Sequence, residues 1–500
     1  MRKLSKTGRK TIPFSGEAIV ILCLFALLNA SCGAGSEAPN ADQLFTEGKA
    51  LRQKGKYREA LEKFERALTA SEEAGEKQRM AKVLRSIGDI HTAQANYAEA
   101  SRHYVRALGI ERELGDKSGT STTLNDLGES HRIQGNYDEA LRYYHQSLKL
   151  EKELKNRSGI ARSLNNIGTI YHAKSKYREA LLHYNQSLKI AQEIKDSAIL
   201  ASTFNNIGAL YEMQGNYSKA LSRFEQSLKI GEDIGDQTLI TNALNYLGTL
   251  QEVQGNFAEA LGYYNRSLKI SRQAGNQINT AMSLNEIALV YQNWGKYAEA
   301  LRHLRESLKI ERELGNKAGI ASTLNNIGGV RSAQGNYAEA LTYYTQSLGI
   351  ARELGDQDNV ASNLNNIGTI HKNQGNYAEA LDYFKQSMEI GKRLDDKRLI
   401  GTVLNNIGEI YQERTNYREA LNHYQQSLDI EKEIGNQAGV AISLNSIGMV
   451  HGQQGNYQKA LHYLDRALKI AEEIGEESIK DAVSGNIRYL KQHLQKNRSR

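Results

Sequence analysis

The side chains best placed for chemistry in this sequence are asparagines that recur every 40 residues. An amide offers both a donor and an acceptor, so it can bond to the backbone of an extended peptide whatever that peptide's sequence. Each such bond contributes about 0.5–1.5 kcal/mol net. We therefore predict a peptide-binding surface made of one column, Asn125, Asn165, Asn205, Asn245, Asn285, Asn325, Asn365, Asn405 and Asn445, and of its neighbours Asn166, Asn206, Asn326, Asn366 and Asn406.

The same asparagines also suit a structural role. A buried amide needs hydrogen-bond partners, so a uniform column can bond adjacent helices and fix the geometry of a repeat. Both roles stay open for the column of Asn165, whereas peptide contact is favoured for the column of Asn166. The two roles can coexist.

Other residue types show no arrangement typical of catalysis or of cofactor binding. The recurring histidines, such as His91 and His183, occupy columns otherwise filled mainly by tyrosine, which indicates packing. The spacing typical of metal ligands, phosphate loops and nucleophile elbows is missing from the sequence. We expect a protein that is not an enzyme and has no cofactor.

The elements that position the asparagines follow from a strict period of 40 residues. Such a period indicates a repeat array, in which each unit buries its apolar face against its neighbours, and excludes most globular enzyme folds. Its marker is an aromatic residue, found at Tyr57, Tyr97, Tyr137, Tyr177, Tyr217, Phe257, Tyr297, Tyr337, Tyr377, Tyr417 and Tyr457.

Each unit is predicted to be a pair of antiparallel helices. In the unit around Tyr177, Leu164, Ile167, Gly168 and Tyr171 share one face of a first helix, and the second helix begins near Tyr177. A glycine in the middle of a helix costs about 1 kcal/mol relative to alanine, so its recurrence predicts a close helix crossing. An invariant alanine column, represented by Ala180, predicts close packing of the second helix.

These residues resemble a known repeat. Leu164-x-x-Ile167-Gly168-x-x-Tyr171 followed by Ala180-x-x-x-Tyr184 is similar to the tetratricopeptide pattern, here 40 residues long and with leucine in place of tryptophan. The length resembles the repeats of kinesin light chains and spindle-orientation adaptors. The resemblance implies an all-α fold, a right-handed superhelical solenoid of eleven helical hairpins over residues 41–476, with a capping helix at 477–495 and a basic tail at 496–500. It also implies that the asparagines face a concave groove that holds peptides.

The first 31 residues are predicted to be an export signal. Five basic residues precede an apolar run from Ala18 to Leu28, which falls short of the roughly 20 residues that span a bilayer. The stretch from Leu28 to Cys32 resembles the lipobox of bacterial lipoproteins, although Asn29 takes the usual place of leucine. We expect lipidation of Cys32, with residues 32–40 as a tether; the alternative is a plain cleaved signal and a soluble exported protein.

The charge balance bears on the kind of partner. The leader holds four of the seven formal positive charges, so the rest of the chain carries only +3. A nearly balanced body is not typical of a nucleic-acid-binding surface. We predict an exported, lipid-anchored scaffold of the bacterial envelope that binds peptides or proteins. The alternatives are a regulatory or substrate-presenting subunit of a separate enzyme, and a helical-repeat nucleic-acid binder.

Overall fold

The chain is a continuous array of helical hairpins. A computed structural model describes residues 40–53 and 55–498, and over these residues it contains 23 α-helices and no strand. The first helices of the eleven hairpins are α1 (Ala41–Gln53), α3 (Lys77–Ala93), α5 (Lys117–Ile133), α7 (Arg157–Ala173), α9 (Ser197–Met213), α11 (Gln237–Val253), α13 (Gln277–Asn293), α15 (Lys317–Ala333), α17 (Gln357–Asn373), α19 (Lys397–Glu413) and α21 (Gln437–Gln453).

The second helices begin at the recurring aromatic residue, as the sequence predicts. They are α2 (Tyr57–Glu73), α4 (Tyr97–Glu113), α6 (Tyr137–Glu153), α8 (Tyr177–Ile194), α10 (Tyr217–Ile234), α12 (Phe257–Gln273), α14 (Tyr297–Leu314), α16 (Tyr337–Leu354), α18 (Tyr377–Leu394), α20 (Tyr417–Ile434) and α22 (Tyr457–Ile474). The all-α solenoid of eleven hairpins is thus confirmed.

The two helices of each hairpin cross closely at the glycine column. A Cβ atom placed on Gly168 would lie 2.7 Å from the ring of Tyr184, and one on Gly128 would lie 2.5 Å from the ring of Tyr144. A side chain at these positions would push the second helix away from the first. The recurring helix-interior glycine therefore makes room for an aromatic ring, and the close crossing is confirmed.

Side-chain caps fix the turn that leads into each first helix from α5 to α21. Asp116 Oδ1 accepts a hydrogen bond from the amide of Gly119 at 2.9 Å, and Asp196 Oδ1 accepts one from Ile199 at 3.1 Å. Each cap satisfies an amide that has no partner within the helix, which stabilises the helix by about 1 kcal/mol. The other turn uses a left-handed residue, such as Gly215 at φ 73°.

The first helices line the inside of the curve. Successive first helices contact each other, as α9 contacts both α7 and α11, whereas successive second helices have no comparable contact. In a curved array, successive helices lie closer together on the concave side than on the convex side. The asparagine columns belong to these first helices.

The solenoid completes more than one superhelical turn, so its later hairpins, the second superhelical turn, pack on its earlier hairpins, the first. Tyr97 shares a buried cluster with Leu354, Tyr177 shares one with Ile434, and Tyr217 shares one with Ile474. In each pair the partner lies six hairpins further along the chain. The Tyr137 hydroxyl also donates a 3.1 Å hydrogen bond to Asp358, across 221 residues of sequence.

A last helix closes the C-terminal end. α23 runs over Glu477–Arg498, so it extends three residues beyond the predicted boundary at 495. It buries Val483 and Leu490 against the eleventh hairpin and contacts only α21 and α22 to any extent. It therefore covers the apolar end that a twelfth hairpin would otherwise cover.

Candidate ligand groove and its asparagine ladder

The two asparagine columns bond to each other across neighbouring repeats. We call the column of Asn165 the inner column, the column of Asn166, which Asn486 of the capping helix continues, the outer column, each bond between them a rung, and the series the ladder. In each rung the outer asparagine donates its Nδ2 hydrogen to Oδ1 of the inner asparagine of the preceding repeat. The rungs join Asn166 to Asn125 at 3.4 Å, Asn206 to Asn165 at 3.1 Å, Asn326 to Asn285 at 3.4 Å, Asn366 to Asn325 at 3.3 Å, Asn406 to Asn365 at 2.8 Å and Asn486 to Asn445 at 2.8 Å.

The inner asparagines also reach into their own hairpins. Asn285 Nδ2 donates to Ser307 Oγ at 2.8 Å and to Thr323 Oγ1 at 3.0 Å, and Asn405 Nδ2 donates to Ser427 Oγ at 2.7 Å. These bonds tie the first helix to its second helix and to the next repeat. The structural role that the sequence left open is thus present, and ligand contact by the same residues stays a prediction.

The ladder is interrupted where the outer asparagine is replaced. Tyr246 stands opposite Asn205, Glu286 stands opposite Asn245, and Ser446 stands opposite Asn405. In each case the Oδ1 atom of the inner asparagine is buried and has no hydrogen-bond partner. Buried polar atoms without a partner are uncommon in folded proteins, so these three acceptors mark places where a donor is missing.

Two of the three interruptions are adjacent and open into one cavity. It has a volume of 410 Å³ and is lined only by residues of α9, α11 and α13. Its polar lining includes Asn205, Asn206, Asn245 and Glu286, and Met282 supplies an apolar wall. Tyr246 borders it, with its ring stacked on Phe224 at a centroid distance of 5.1 Å. We call this region the ladder gap.

The ladder gap is acidic. Burial raises the pKa of Glu286 to about 7. Burial is the only cause of this shift, so the ionised form of Glu286 lacks a stabilising partner. Glu212 on α9 and Glu252 on α11 lie outside the cavity lining. Burial raises the pKa of Glu212 to about 7, and burial together with the charge of Glu286 does so for Glu252. Together with the two unpartnered amide oxygens, the gap therefore presents acceptors and needs a donor, preferably a cationic one.

Three of the remaining predicted site residues line two other cavities, and the rest lie along the ladder. Asn365 and Asn366 line a 710 Å³ cavity where the two turns meet, beside Tyr137, Asp358 and Arg398. Asn445 lines a 300 Å³ cavity with Glu409 and Ser446. The others lie along the ladder, either buried or half-buried: Asn125, Asn165, Asn166, Asn285, Asn325, Asn326, Asn405 and Asn406.

Sequence reasoning missed the carboxylate Glu286. The signal was present, because Tyr246 and Glu286 interrupt a column that is otherwise mostly asparagine in the inner repeats. A column that changes in adjacent repeats is a better pointer to a ligand than a column that is constant, since constant residues serve the packing that all repeats share.

Several predictions of the sequence concern features beyond the groove. Cys32 and the export signal lie outside the described residues. Within the part of the chain that the structure describes, no helix is long and apolar enough to cross a membrane, and no cluster of His, Cys, Asp and Glu is arranged to hold a metal ion. The histidine columns pack as expected: Tyr171 and His183 stack at a centroid distance of 5.3 Å.

Comparison with known proteins assigns the family. The chain matches the tetratricopeptide repeat over residues 44–113, 119–193, 183–233, 239–313, 319–393 and 399–473, and so it belongs to the tetratricopeptide repeat family. The comparison with curated proteins found no match.

The chain is similar to several solved structures at low sequence identity. A Rap protein complexed with Competence and Sporulation Factor is 15% identical, with a TM-score of 0.52 over 71% of this chain and 99% of that one. The apo form of RapI is 17% identical, with a TM-score of 0.43 over 55% of this chain and 98% of that one. BtubC (BKLC) from P. vanneervenii is 23% identical, with a TM-score of 0.38 over 44% of this chain and 92% of that one. The Rap complex supports the helical-repeat fold.

Proposed function

We propose that this protein is a binding scaffold, without catalytic activity of its own, that holds an extended segment of a partner protein in its concave groove. The ladder gap anchors a lysine or arginine side chain of that segment. The observation that carries the proposal is that Asn205 and Asn245, whose Oδ1 atoms have no hydrogen-bond partner, line one cavity with Glu286.

The chemistry of the gap selects the ligand. An arginine guanidinium has five N–H donors and a lysine ammonium has three, and neither has an acceptor. Either group can donate to both amide oxygens and to the Glu286 carboxylate. A hydrogen bond to a charged group contributes about 1.5–3 kcal/mol, roughly twice the value for a neutral pair, so the cation dominates recognition at this point.

The rest of the groove suits a peptide backbone. Each outer asparagine uses one N–H in its rung, and an amide side chain has a second N–H and a carbonyl oxygen. In the proposed complex these groups bond to the backbone of the bound segment. Backbone contacts add affinity along the groove, and the gap adds selectivity. A Rap protein with this fold was solved with Competence and Sporulation Factor, which agrees with a role in holding a second molecule.

Selection from a random peptide library tests the proposal. The chain without residues 1–31 is immobilised, and bound peptides are sequenced and then measured by calorimetry. We expect the selected peptides to share a lysine or arginine, and we expect Glu286→Gln to weaken their binding about tenfold. Asn285→Gln, at a complete rung, is the control for altered groove geometry. Selected peptides without a shared cation, or equal binding by a folded Glu286→Gln variant, would refute the anchor.

We further propose that the scaffold is exported and anchored by a lipid on Cys32, on the strength of the leader sequence alone. Mass spectrometry of the mature N-terminus from the native host tests this. A diacyl or triacyl Cys32 is the expected result. A mature terminus without lipid would leave a soluble exported protein, and an uncleaved Met1 would exclude export by this signal.

A further inference from the structure

The contact between the two superhelical turns recurs with the 40-residue period of the sequence. The last residue of each second helix in the later hairpins is buried: Leu314 is 5% exposed, Leu394 is 5% exposed and Ile434 is 4% exposed. Each of these side chains lies against the hairpin six repeats earlier. It contacts the short loop that precedes the second helix of that hairpin. A Cβ atom on Gly135 would lie 2.9 Å from Leu394 Cδ2, and one on Gly215 would lie 2.8 Å from Ile474 Cγ2.

Polar contacts fix the same junction. Lys176 and Asp395 form an ion pair at 3.4 Å, and Tyr137 donates to Asp358 at 3.1 Å. The junction thus has an apolar row flanked by polar pairs, as stable interfaces generally do. Small residues at the turn, such as Gly135, let the leucine side chain approach the backbone.

The apolar side chains at the ends of the second helices also occur on the first superhelical turn, where they are exposed to solvent. Leu114, Leu154 and Ile234 occupy the same place in their hairpins as Leu394 does in its own, but they are 46%, 40% and 49% exposed. We call them the leucine edge. The described part of the chain contains nine large apolar side chains with comparable exposure, and three of them lie in this one column.

The other half of the junction reappears uncovered on the second superhelical turn. Phe257, Tyr297, Tyr337, Tyr377, Tyr417 and Tyr457 form what we call the aromatic edge. They are half-buried, whereas their equivalents from Tyr57 to Tyr217 are buried under the second turn. A Cβ atom placed on Gly295, Gly335 or Gly375 would find no atom within 4 Å, in contrast to Gly135. Trp294, on the same edge, is 43% exposed.

We infer that a second copy of this chain occupies these edges, with the aromatic edge of one molecule on the leucine edge of the next. The two free edges consist of the same columns that already pack together within each molecule, so a second copy continues an existing interface. The capping helix does not prevent this, because it packs only on the eleventh hairpin.

The geometry of this contact is head-to-tail. The two edges differ from one another and lie on opposite sides of the molecule, so each copy keeps one free edge after pairing. Heterologous contacts of this kind build open stacks instead of closed dimers. The concave grooves of successive copies would then follow one another along a common axis.

Sedimentation velocity of the chain without residues 1–31 tests the inference. We expect the wild-type sedimentation coefficient to rise with concentration. Leu114→Glu/Leu154→Glu blocks the leucine edge, and Asn336→Glu/Asn376→Glu blocks the aromatic edge. Both asparagines are exposed N-cap residues, directly before α16 and α18, and make no side-chain cap bond, so an acidic residue is tolerated there. Each variant alone should sediment as a monomer and keep the wild-type circular dichroism spectrum.

A mixture of the two variants separates head-to-tail stacking from other contacts. Each variant retains the edge that the other lacks, so an equimolar mixture should form a 1:1 dimer and nothing larger. Leu182→Glu, at a side chain that is 57% exposed on neither edge, should assemble like the wild type. A wild type that stays monomeric at its highest soluble concentration would overturn the inference. So would assembly by either blocked variant alone, or a mixture that remains monomeric.

Discussion

Two stretches of the ladder have the same fold but differ in whether their hydrogen bonds are satisfied. From α13 to α19 three successive rungs are complete, with Asn326 on Asn285, Asn366 on Asn325 and Asn406 on Asn365. From α9 to α13 two successive rungs are missing, opposite Tyr246 and Glu286. The complete stretch shows what the asparagines do for the repeat, and the gap shows what is left for a ligand.

The largest effect is expected from removing an inner asparagine in the complete stretch. Asn285→Ala removes the acceptor of the Asn326 amide and one hydrogen bond each from Ser307 and Thr323, and unsatisfied buried groups cost about 1–3 kcal/mol. Asn245→Ala removes an oxygen that has no partner, so its effect should lie within about 0.5 kcal/mol of zero. Urea unfolding of both variants measures the difference; equal losses would mean that the two stretches do not differ.

Completing a rung in the gap should act in the opposite direction. Glu286→Asn supplies a donor to Asn245 Oδ1 and removes a carboxylate whose pKa burial raises to about 7. We expect a gain of about 0.5–1.5 kcal/mol in the free energy of unfolding, the usual net value of one hydrogen bond. The same urea titration measures it. A loss of stability would show that Glu286 makes stabilising contacts besides those of the ladder.

The pH dependence of stability should change when Glu286 is replaced. The pKa values of Glu212, Glu252 and Glu286 are raised to about 7 in the folded chain, so the folded state binds protons more tightly than the unfolded state does. Their stabilising contribution is complete below about pH 4.5 and is lost as the pH rises through about 7. Glu286→Gln should therefore reduce the fall in Tm between about pH 5 and pH 8. If the fall in Tm is unchanged in Glu286→Gln, residues other than Glu286 cause the pH dependence.

The smallest effect is expected at the third interruption. Ser446→Asn gives Asn405 Oδ1 a partner, but unlike Glu286→Asn it removes no buried carboxylate, and it fixes a longer side chain. We expect a net change of about 0.5 kcal/mol or less, because the new hydrogen bond and the lost side-chain entropy nearly offset each other. A large gain by thermal unfolding would show that this interruption resembles the ladder gap.

The sequence predicts the hairpins well because their determinants are local. The period places each Tyr177-type residue at the start of a second helix, and the Gly168 column specifies the helix crossing. The caps at Asp116 and its equivalents lie within three residues of the amides that they bind. Each of these features is repeated many times, so the pattern identifies it without any three-dimensional information.

Contacts between distant repeats could not be predicted in this way. Tyr137 meets Asp358 and Lys176 meets Asp395 because of the pitch of the superhelix, which sums small rotations at every repeat. The partner of each inner asparagine also depends on the stagger of adjacent first helices, which places residue 206 and not residue 205 beside Asn165. The columns could therefore be identified from sequence, but their hydrogen-bond partners could not.

The most direct test of the central claim compares Glu286→Asn and Ser446→Asn in peptide binding. Both variants complete a rung, but only the first removes the acidic group of the ladder gap. With a lysine- or arginine-containing peptide selected on the wild type, calorimetry should show about tenfold weaker binding to Glu286→Asn, a loss of roughly 1.4 kcal/mol. Binding to Ser446→Asn should match the wild type. Equal affinity of all three folded proteins would contradict the assignment of the ladder gap as the ligand anchor.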